Sequence, residues 1–330
     1  MTVKVGLMLV PDADPSDVIE TARRAEEQGF DFLSCGEHVL FHGPTPNAFV
    51  CLAAAAAVTT RMRLLSALTI VPLYPTGLLA KMATTLDRLS CGRFDLGVGV
   101  GGEYPPEFAA CGVPVPERGA RTDEALEICT RLFAGQKLMF DGSYARIDGY
   151  RLDPLPVQQD GPPLWVGGRS DAAMRRAGKY GTHWLPYMMS PRQLREGLER
   201  VRDTAEAAGR PRAAVSGAIY AWTAAHPDPA VARFTALETL GEVYQQDFAM
   251  LADRYVPTGT PEQVADRLAE YVDAGAESVL LSPACSTAEF PGMVTRFAED
   301  ILPRLQALPT PRRTQSTGAT TAGRAKIGGI

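Results

Sequence analysis

A chain of 330 residues, 45% hydrophobic and 22% charged, is ordinary globular material that can bury a sizeable core as one large domain or two small ones. Its net charge of -5 leaves no basic excess to neutralise phosphates, which excludes nucleic acid as the main partner; the patches Arg61-Met62-Arg63 and Pro311-Arg312-Arg313 are too small to change that. The longest apolar run, residues 49–58, is too short to span a bilayer, and the N-terminus has no signal-peptide pattern.

Short apolar strands alternate with amphipathic helices along the chain. Strand one is predicted over residues 3–10, followed by a helix over 14–28 with Asp14 as cap, Pro15 in the first turn and Gly29 as stop. Strand two covers 32–35, an alanine-rich helix 46–60, strand three 64–70, a third helix 76–89, strand four 94–98 and a fourth helix 117–133. Asp141-Gly142 between two alternating runs signals a hairpin within 138–153 that decorates the main sheet. Strands five to eight follow at 164–166, 182–185, 214–222 and 278–281. Helices lie at 171–178, 191–208, 229–252 (broken at Gly241), 261–274 and 290–305.

Eight strands with intervening helices predict a (β/α)₈ TIM barrel over 1–308, with insertions at the C-terminal face of the strands. A doubly wound open sheet is the alternative, and it leaves the later repeats without a place. Residues 309–330, rich in Thr, Gly, Arg and Pro, read as a flexible tail. The six cysteines form no C-x-x-C pair, which points to reduced thiols in a cytoplasmic protein and to no metal site.

Barrel enzymes place their chemistry at the C-terminal strand ends, so the residues after each strand are the candidates. Strand two leads into Gly36-Glu37-His38, where His38 is either a proton-exchanging group with an acidic neighbour or a structural histidine. In strand three, the small residues Ser66 and Ala67 either let a flat ring approach or simply pack. Strand four runs into Gly99, Val100, Gly101, Gly102, Glu103 and Tyr104, a loop that either offers bare amides to a ligand or is built for tight packing. Glu103 there is a substrate contact or a solvated surface residue. After strand five, Gly167, Gly168, Arg169 and Ser170 precede a helix opened by Asp171. Outward amides, the helix dipole and a guanidinium make this an anion site, with a plain capping turn as the alternative. His183, near strand six, lines the mouth or sits in the core. There is no H-E-x-x-H, P-loop or G-x-S-x-G motif.

The order of these motifs resembles that of the bacterial luciferase-like family of flavin- or deazaflavin-dependent oxidoreductases. The matching segments are Gly36-Glu37-His38, ALTIVPLYPTGLLAKMATTLDRLSCGRFDLGVGVGGEYPPEF, ERGARTDEALEI and PPLWVGGRSDAAMRRAGKYGTHW, within residues 3–305. The resemblance implies a cofactor ring across the barrel mouth. It also implies a non-prolyl cis peptide at Ser66–Ala67 beneath that ring, and a cofactor-phosphate site at Gly167, Gly168, Arg169 and Ser170. Val100, Gly101, Gly102 and Tyr104 would lie beside the same cofactor, with His38 near its reactive face.

Two cofactors fit. FMN users of this family often carry an arginine where Gly101 stands, which tilts the reading toward coenzyme F420, although Arg169 could serve FMN. The resemblance thus implies an F420-dependent oxidoreductase acting on a small organic molecule, with His38 or Glu37 steering a proton and Glu103 contacting substrate. The alternatives are a two-component FMN monooxygenase fed by a separate reductase, and a non-catalytic barrel subunit. A homodimer is also implied, and residues 53–57 would allow close helix approach.

Overall fold

The computed structural model describes residues 2–9 and 15–311. In chain order the elements are β1 (Lys4–Met8), α1 (Pro15–Glu27), β2 (Phe32–Cys35), α2 (Ala48–Val58), β3 (Arg63–Ile70), α3 (Thr76–Leu89), β4 (Phe94–Gly99), α4 (Pro105–Ala110) and α5 (Arg118–Phe133). Next come β5 (Leu138–Asp141), β6 (Arg146–Tyr150), β7 (Leu164–Gly167), α6 (Asp171–Tyr180), β8 (His183–Leu185), α7 (Pro191–Ala207) and β9 (Ser216–Ala225). The chain continues with α8 (Pro229–Tyr244), α9 (Ala249–Tyr255), β10 (Thr258–Gly259), α10 (Pro261–Asp273), β11 (Ala276–Pro283), α11 (Phe290–Arg296) and α12 (Leu302–Gln306).

Eight parallel strands close on themselves in the order β1-β2-β3-β4-β7-β8-β9-β11, with β11 pairing back onto β1. That closure is the predicted TIM barrel and rules out an open sheet. Side chains alternate across it. Leu65 and Leu280 point into the barrel with Met8, Phe32 and Trp165, while Leu64, Val279 and Leu281 pack outward under the helices. β5 and β6 form a separate antiparallel hairpin, as the Asp141-Gly142 signal predicts.

The helix starts have local causes. Asn47, Ser170 and Asp228 accept backbone amides at the heads of α2, α6 and α8, and Ser190 and Thr260 form capping boxes with Gln193 and Gln263. Several boundaries differ from those read in the sequence. The break in the 229–252 helix falls at Gln245, in left-handed conformation, and not at Gly241. The last helix contains a π-turn, Phe297–Ile301, just before Pro303, which has no amide to continue the ladder. The predicted cap Asp14 and residues 312–330 of the predicted tail lie outside the described residues. Among the described residues no helix is long and apolar enough to cross a membrane.

One irregularity shapes the barrel mouth. Ser66 pairs with Leu96 and Thr69 with Val98, so Ala67 and Leu68 together oppose Gly97 in a bulge. The cis peptide is Ala67–Leu68, one residue beyond the predicted Ser66–Ala67. Ser66 is fully buried, and its hydroxyl accepts the Gly97 amide at 3.0 Å and donates to the Gly97 carbonyl at 3.2 Å. A Cβ on Gly97 would overlap the Ser66 carbonyl, and one on Gly167 would overlap the Leu68 side chain. Gly97→Ala should therefore lower the unfolding free energy by about 1–3 kcal/mol, because the obstructing atom is backbone. Gly167→Ala should be partly rescued by Leu68→Ala, since there the obstacle is a side chain. Denaturant unfolding of the three variants checks both expectations.

Candidate active site

A cavity of about 310 Å³ opens at the C-terminal ends of the barrel strands. Leu68, thrust inward by the bulge, forms its floor with Ala67 and Met8. Gly99 and Gly167 flank Leu68; a Cβ at Gly99 would lie 3.3 Å from it. The loop glycines thus serve packing and access at once.

One wall is the β2 exit. Glu37 is 7% exposed, and its Oε1 accepts the Ile70 amide at 3.0 Å, on the segment leaving the bulge. Its Oε2 accepts the Tyr74 hydroxyl at 2.8 Å and the Asn47 side-chain amide at 3.4 Å, and the Ala48 amide also donates to the carboxylate. Burial raises the Glu37 pKa above the ordinary carboxylate value against these donors, with a smaller push from Glu107. Glu37 lines the cavity, yet its oxygens are committed to holding β3, Tyr74 and the head of α2 together.

His38 has a different partner from the one its neighbour suggests. Its Nδ1 lies 3.1 Å from Oε2 and 3.3 Å from Oε1 of Glu107, a fully buried carboxylate on α4. Glu107 Oε2 also accepts the Val39 amide at 3.2 Å. The carboxylate is thus the acceptor and Nδ1–H the donor, which leaves Nε2 as the ring nitrogen available to a molecule in the cavity. Phe41 stacks on the imidazole with centroids 3.9 Å apart.

The opposite end is built by the β7–α6 junction. Gly167, Gly168 and Ser170 line the cavity with Ala173 and Arg176. The Ser170 hydroxyl caps α6 by accepting the Ala173 amide at 3.2 Å. The predicted guanidinium, Arg169, does not line this end. It donates to the Met188 carbonyl at 2.8 Å and lies over the Tyr187 ring. Its place is taken by Arg176, 9% exposed, which makes a bidentate pair with Asp123 at 2.6 and 3.0 Å and donates to the Gly119 carbonyl at 3.1 Å. A helix N-terminus and a fixed cation therefore converge on one end of the cavity, the chemistry of a phosphate site.

The remaining wall is aromatic: Tyr187, Tyr220, Trp222 and Tyr244. Glu103 lines the cavity and accepts the Tyr187 hydroxyl at 3.0 Å. Burial, then the Glu103 charge, hold the Tyr187 phenol well above its ordinary pKa, and burial pushes Tyr244 up to about 12. Both stay neutral hydrogen-bonding groups at physiological pH.

Other sequence candidates find other roles. Val100 and Gly101 line the cavity. Gly101 has φ +57, and a Cβ there would lie 2.7 Å from Ile70 Cγ2. Its lack of a side chain has a backbone and packing cause whichever cofactor binds. Gly102 lets the Arg118 side chain lie over the loop. Tyr104 meets Phe41 and His42 edge-on and is not part of the cavity lining. Ser66 is spent on the bulge. His183 opens β8 at the end of the barrel away from the mouth, stacked on Trp165 at 3.9 Å, and does not line the cavity. Glu107, Arg176, Leu68 and the aromatic wall were not among the sequence candidates.

A profile of the luciferase-like monooxygenase family matches residues 1–278. The chain belongs to the luciferase-like family. An uncharacterized protein of Mycobacterium tuberculosis is 36% identical over 167 residues, covering 51% of this chain and 57% of that protein, so the match spans little more than half the length of this relative. The F420-dependent glucose-6-phosphate dehydrogenase of Beutenbergia cavernae is 31% identical over 326 residues, covering 89% of this chain and 94% of that one. In fold, the chain is similar to a solved F420-dependent secondary alcohol dehydrogenase, with TM-score 0.82, 21% identity, and coverage of 92% of this chain and 99% of that one.

The geometry of Glu37 gives a test. Glu37→Ala strands the buried Ile70 amide and removes the tie to α2, at an expected cost of about 1–3 kcal/mol. Glu37→Gln keeps one acceptor and should cost less. A raised folded pKa means that the carboxyl stabilises the fold while protonated and loses that contribution as pH climbs from 4.5 through the raised value. Glu37→Gln should therefore gain on the parent protein across that window, as read by denaturant unfolding at stepped pH.

Proposed function

We propose that this luciferase-like protein is an F420-dependent oxidoreductase that moves hydride between the deazaflavin and a small organic substrate. The observation that carries the proposal is one cavity bounded by a phosphate-type helix terminus at one end and the His38–Glu107 pair at the other, over a floor made by Leu68. The near full-length similarity to F420-dependent relatives supports the choice of cofactor.

The residues present fit such a group. The bare backbone at Gly167 and Gly168, the head of α6 and Arg176 suit its phosphate. Bound there, the deazaflavin supplies or takes up hydride at C5. Asp123 fixes the Arg176 guanidinium before the phosphate arrives, so no conformational search is left to binding. Glu107 holds the His38 Nδ1 proton and thereby directs Nε2 to exchange the substrate's proton. Glu103 and Tyr187 orient the substrate's polar group, and the aromatic wall excludes water.

The same proposal includes a homodimer through α2, where Val50 and Ala57 are exposed while Ala55 and Ala56 face the core. It also includes a cytoplasmic setting, in keeping with six free thiols.

Desalted protein titrated with F420 and with FMN, followed by fluorescence, should bind F420 more tightly. Tight FMN binding without F420 affinity would overturn the proposal in favour of a flavin monooxygenase with a separate reductase, and failure to bind either would point to a non-catalytic barrel. Arg176→Ala should weaken F420 binding about 10–100-fold. His38→Ala should leave F420 binding intact and lower kcat about 10²–10⁴-fold with a substrate found by screening. Sedimentation velocity should report a dimer, and a charge at Ala57 (Ala57→Glu) should shift it to monomer.

A further inference from the structure

We propose that the substrate is an uncharged molecule bearing no phosphate or carboxylate, with its reacting end beside His38 and its body extending past Phe41, Trp222 and Val243 into a second cavity. The inference rests on the oxidoreductase reading above for the reacting end, and on the charge and shape of the walls for the rest.

The second cavity measures about 600 Å³ and shares Phe41, Trp222 and Val243 with the first. The two spaces therefore meet across a wall of two aromatic side chains and one valine. Phe234 stands at the second cavity while 63% exposed, an apolar group presented to an incoming molecule. The acidic side chains outnumber the basic ones on this side. Glu103 lines the first cavity, and Glu238, Glu242 and Glu289 line the second. His42 is the one basic side chain lining the second cavity, and no lysine or arginine lines it among the described residues.

The cations near the mouth are already held. Arg176 pairs with Asp123 at the cofactor-phosphate end. Arg169 donates to the Met188 carbonyl, and Arg118 lies over Gly102 and donates to the Val115 carbonyl. Neither of these two lines either cavity. A substrate phosphate entering here would meet four carboxylates with His42 as the one basic side chain lining the second cavity, an arrangement that disfavours it. An uncharged body meets Phe41 and Trp222 where the cavities join and Phe234 beyond them, among the polar side chains of Thr235, Thr239 and Gln245. The chain thus aligns over nearly its full length, at 31% identity, with a relative named for glucose 6-phosphate, while its walls suit a different class of molecule.

Isothermal titration calorimetry on the full chain, with and without F420, tests this with three probes: the neutral ketone 4-phenylbutan-2-one, the same ketone carrying a para-phosphate ester, and glucose 6-phosphate. The neutral ketone should bind at least about tenfold more tightly than its phosphate ester. Glucose 6-phosphate should bind no better than the ester. The double variant Glu238→Lys/Glu242→Lys changes two exposed positions on α8, so it should fold, with thermal melting as the check, and it should narrow the gap between ketone and ester. Equal or tighter binding of either phosphate probe overturns the proposal, as does a gap unchanged in the double variant. F420 binding is read in a separate titration. If it fails while the preference for the neutral ketone holds, the cofactor reading falls and the substrate inference stands.

Discussion

The mouth of this barrel depends on the close approach of two backbones, at Ser66 and Gly97. The extra residue in β3 pushes Leu68 inward, and the next two strands, β4 and β7, can only accept it if they carry no side chain at the facing positions. Gly97 yields to the Ser66 carbonyl, and Gly99 and Gly167 yield to the Leu68 side chain. A single bulge thus accounts for glycines on two different strands. It also sets the floor height of the cavity, because Leu68 fills the barrel just below the point where the strands end. The interior beneath it is filled by Phe32, Leu65 and Trp165.

Two buried carboxylates, 70 residues apart in the chain, divide the work around that floor. Glu37 is a tie: it gathers an amide from the bulge exit, a phenol and the head of α2. Its burial raises its pKa, and the donors around it keep the penalty in check. Glu107 is an orienter. It takes the His38 Nδ1 proton and the Val39 amide together, which fixes both the ring and the loop that carries it. The adjacent Glu-His pair in the sequence suggests a local dyad. The partner that matters for His38 comes instead from α4, across the mouth.

The charge layout separates two kinds of ligand. The N-terminus of α6 and the Arg176 guanidinium, held by Asp123, lie together at one end of the cavity, an arrangement that suits an anionic group. The far side of the same mouth is aromatic and acidic, which suits a molecule without anionic groups.

Much of this was legible in the sequence. Alternation of short apolar runs with capped amphipathic stretches determined eight strands and the barrel, because periodicity and capping are local properties. Gly36-Glu37-His38, the loop after β4, and Gly167, Gly168 and Ser170 were readable as site segments, because they follow strand ends where a barrel gathers its ligands. Which side chain does what could not be read there. Arg169, beside the glycines at the head of the helix, is the arginine that the sequence offers for a phosphate, and Arg176 lies seven residues further on. Only the pairing of Arg176 with Asp123 on α5, and of Arg169 with the Met188 carbonyl, separates them. His183 carries the same chemistry as His38, and only its place at the start of β8 removes it from the mouth. Gly101 reads as a clue to the cofactor until the positive φ and the nearness of Ile70 give it a packing cause. The sequence by itself determined the fold and the segments that form the site, since both follow from short-range pattern. The tertiary structure alone decided which side chains meet, since a proton's partner, a cation's anchor and a residue's place in the cavity wall are contacts between elements remote in the chain.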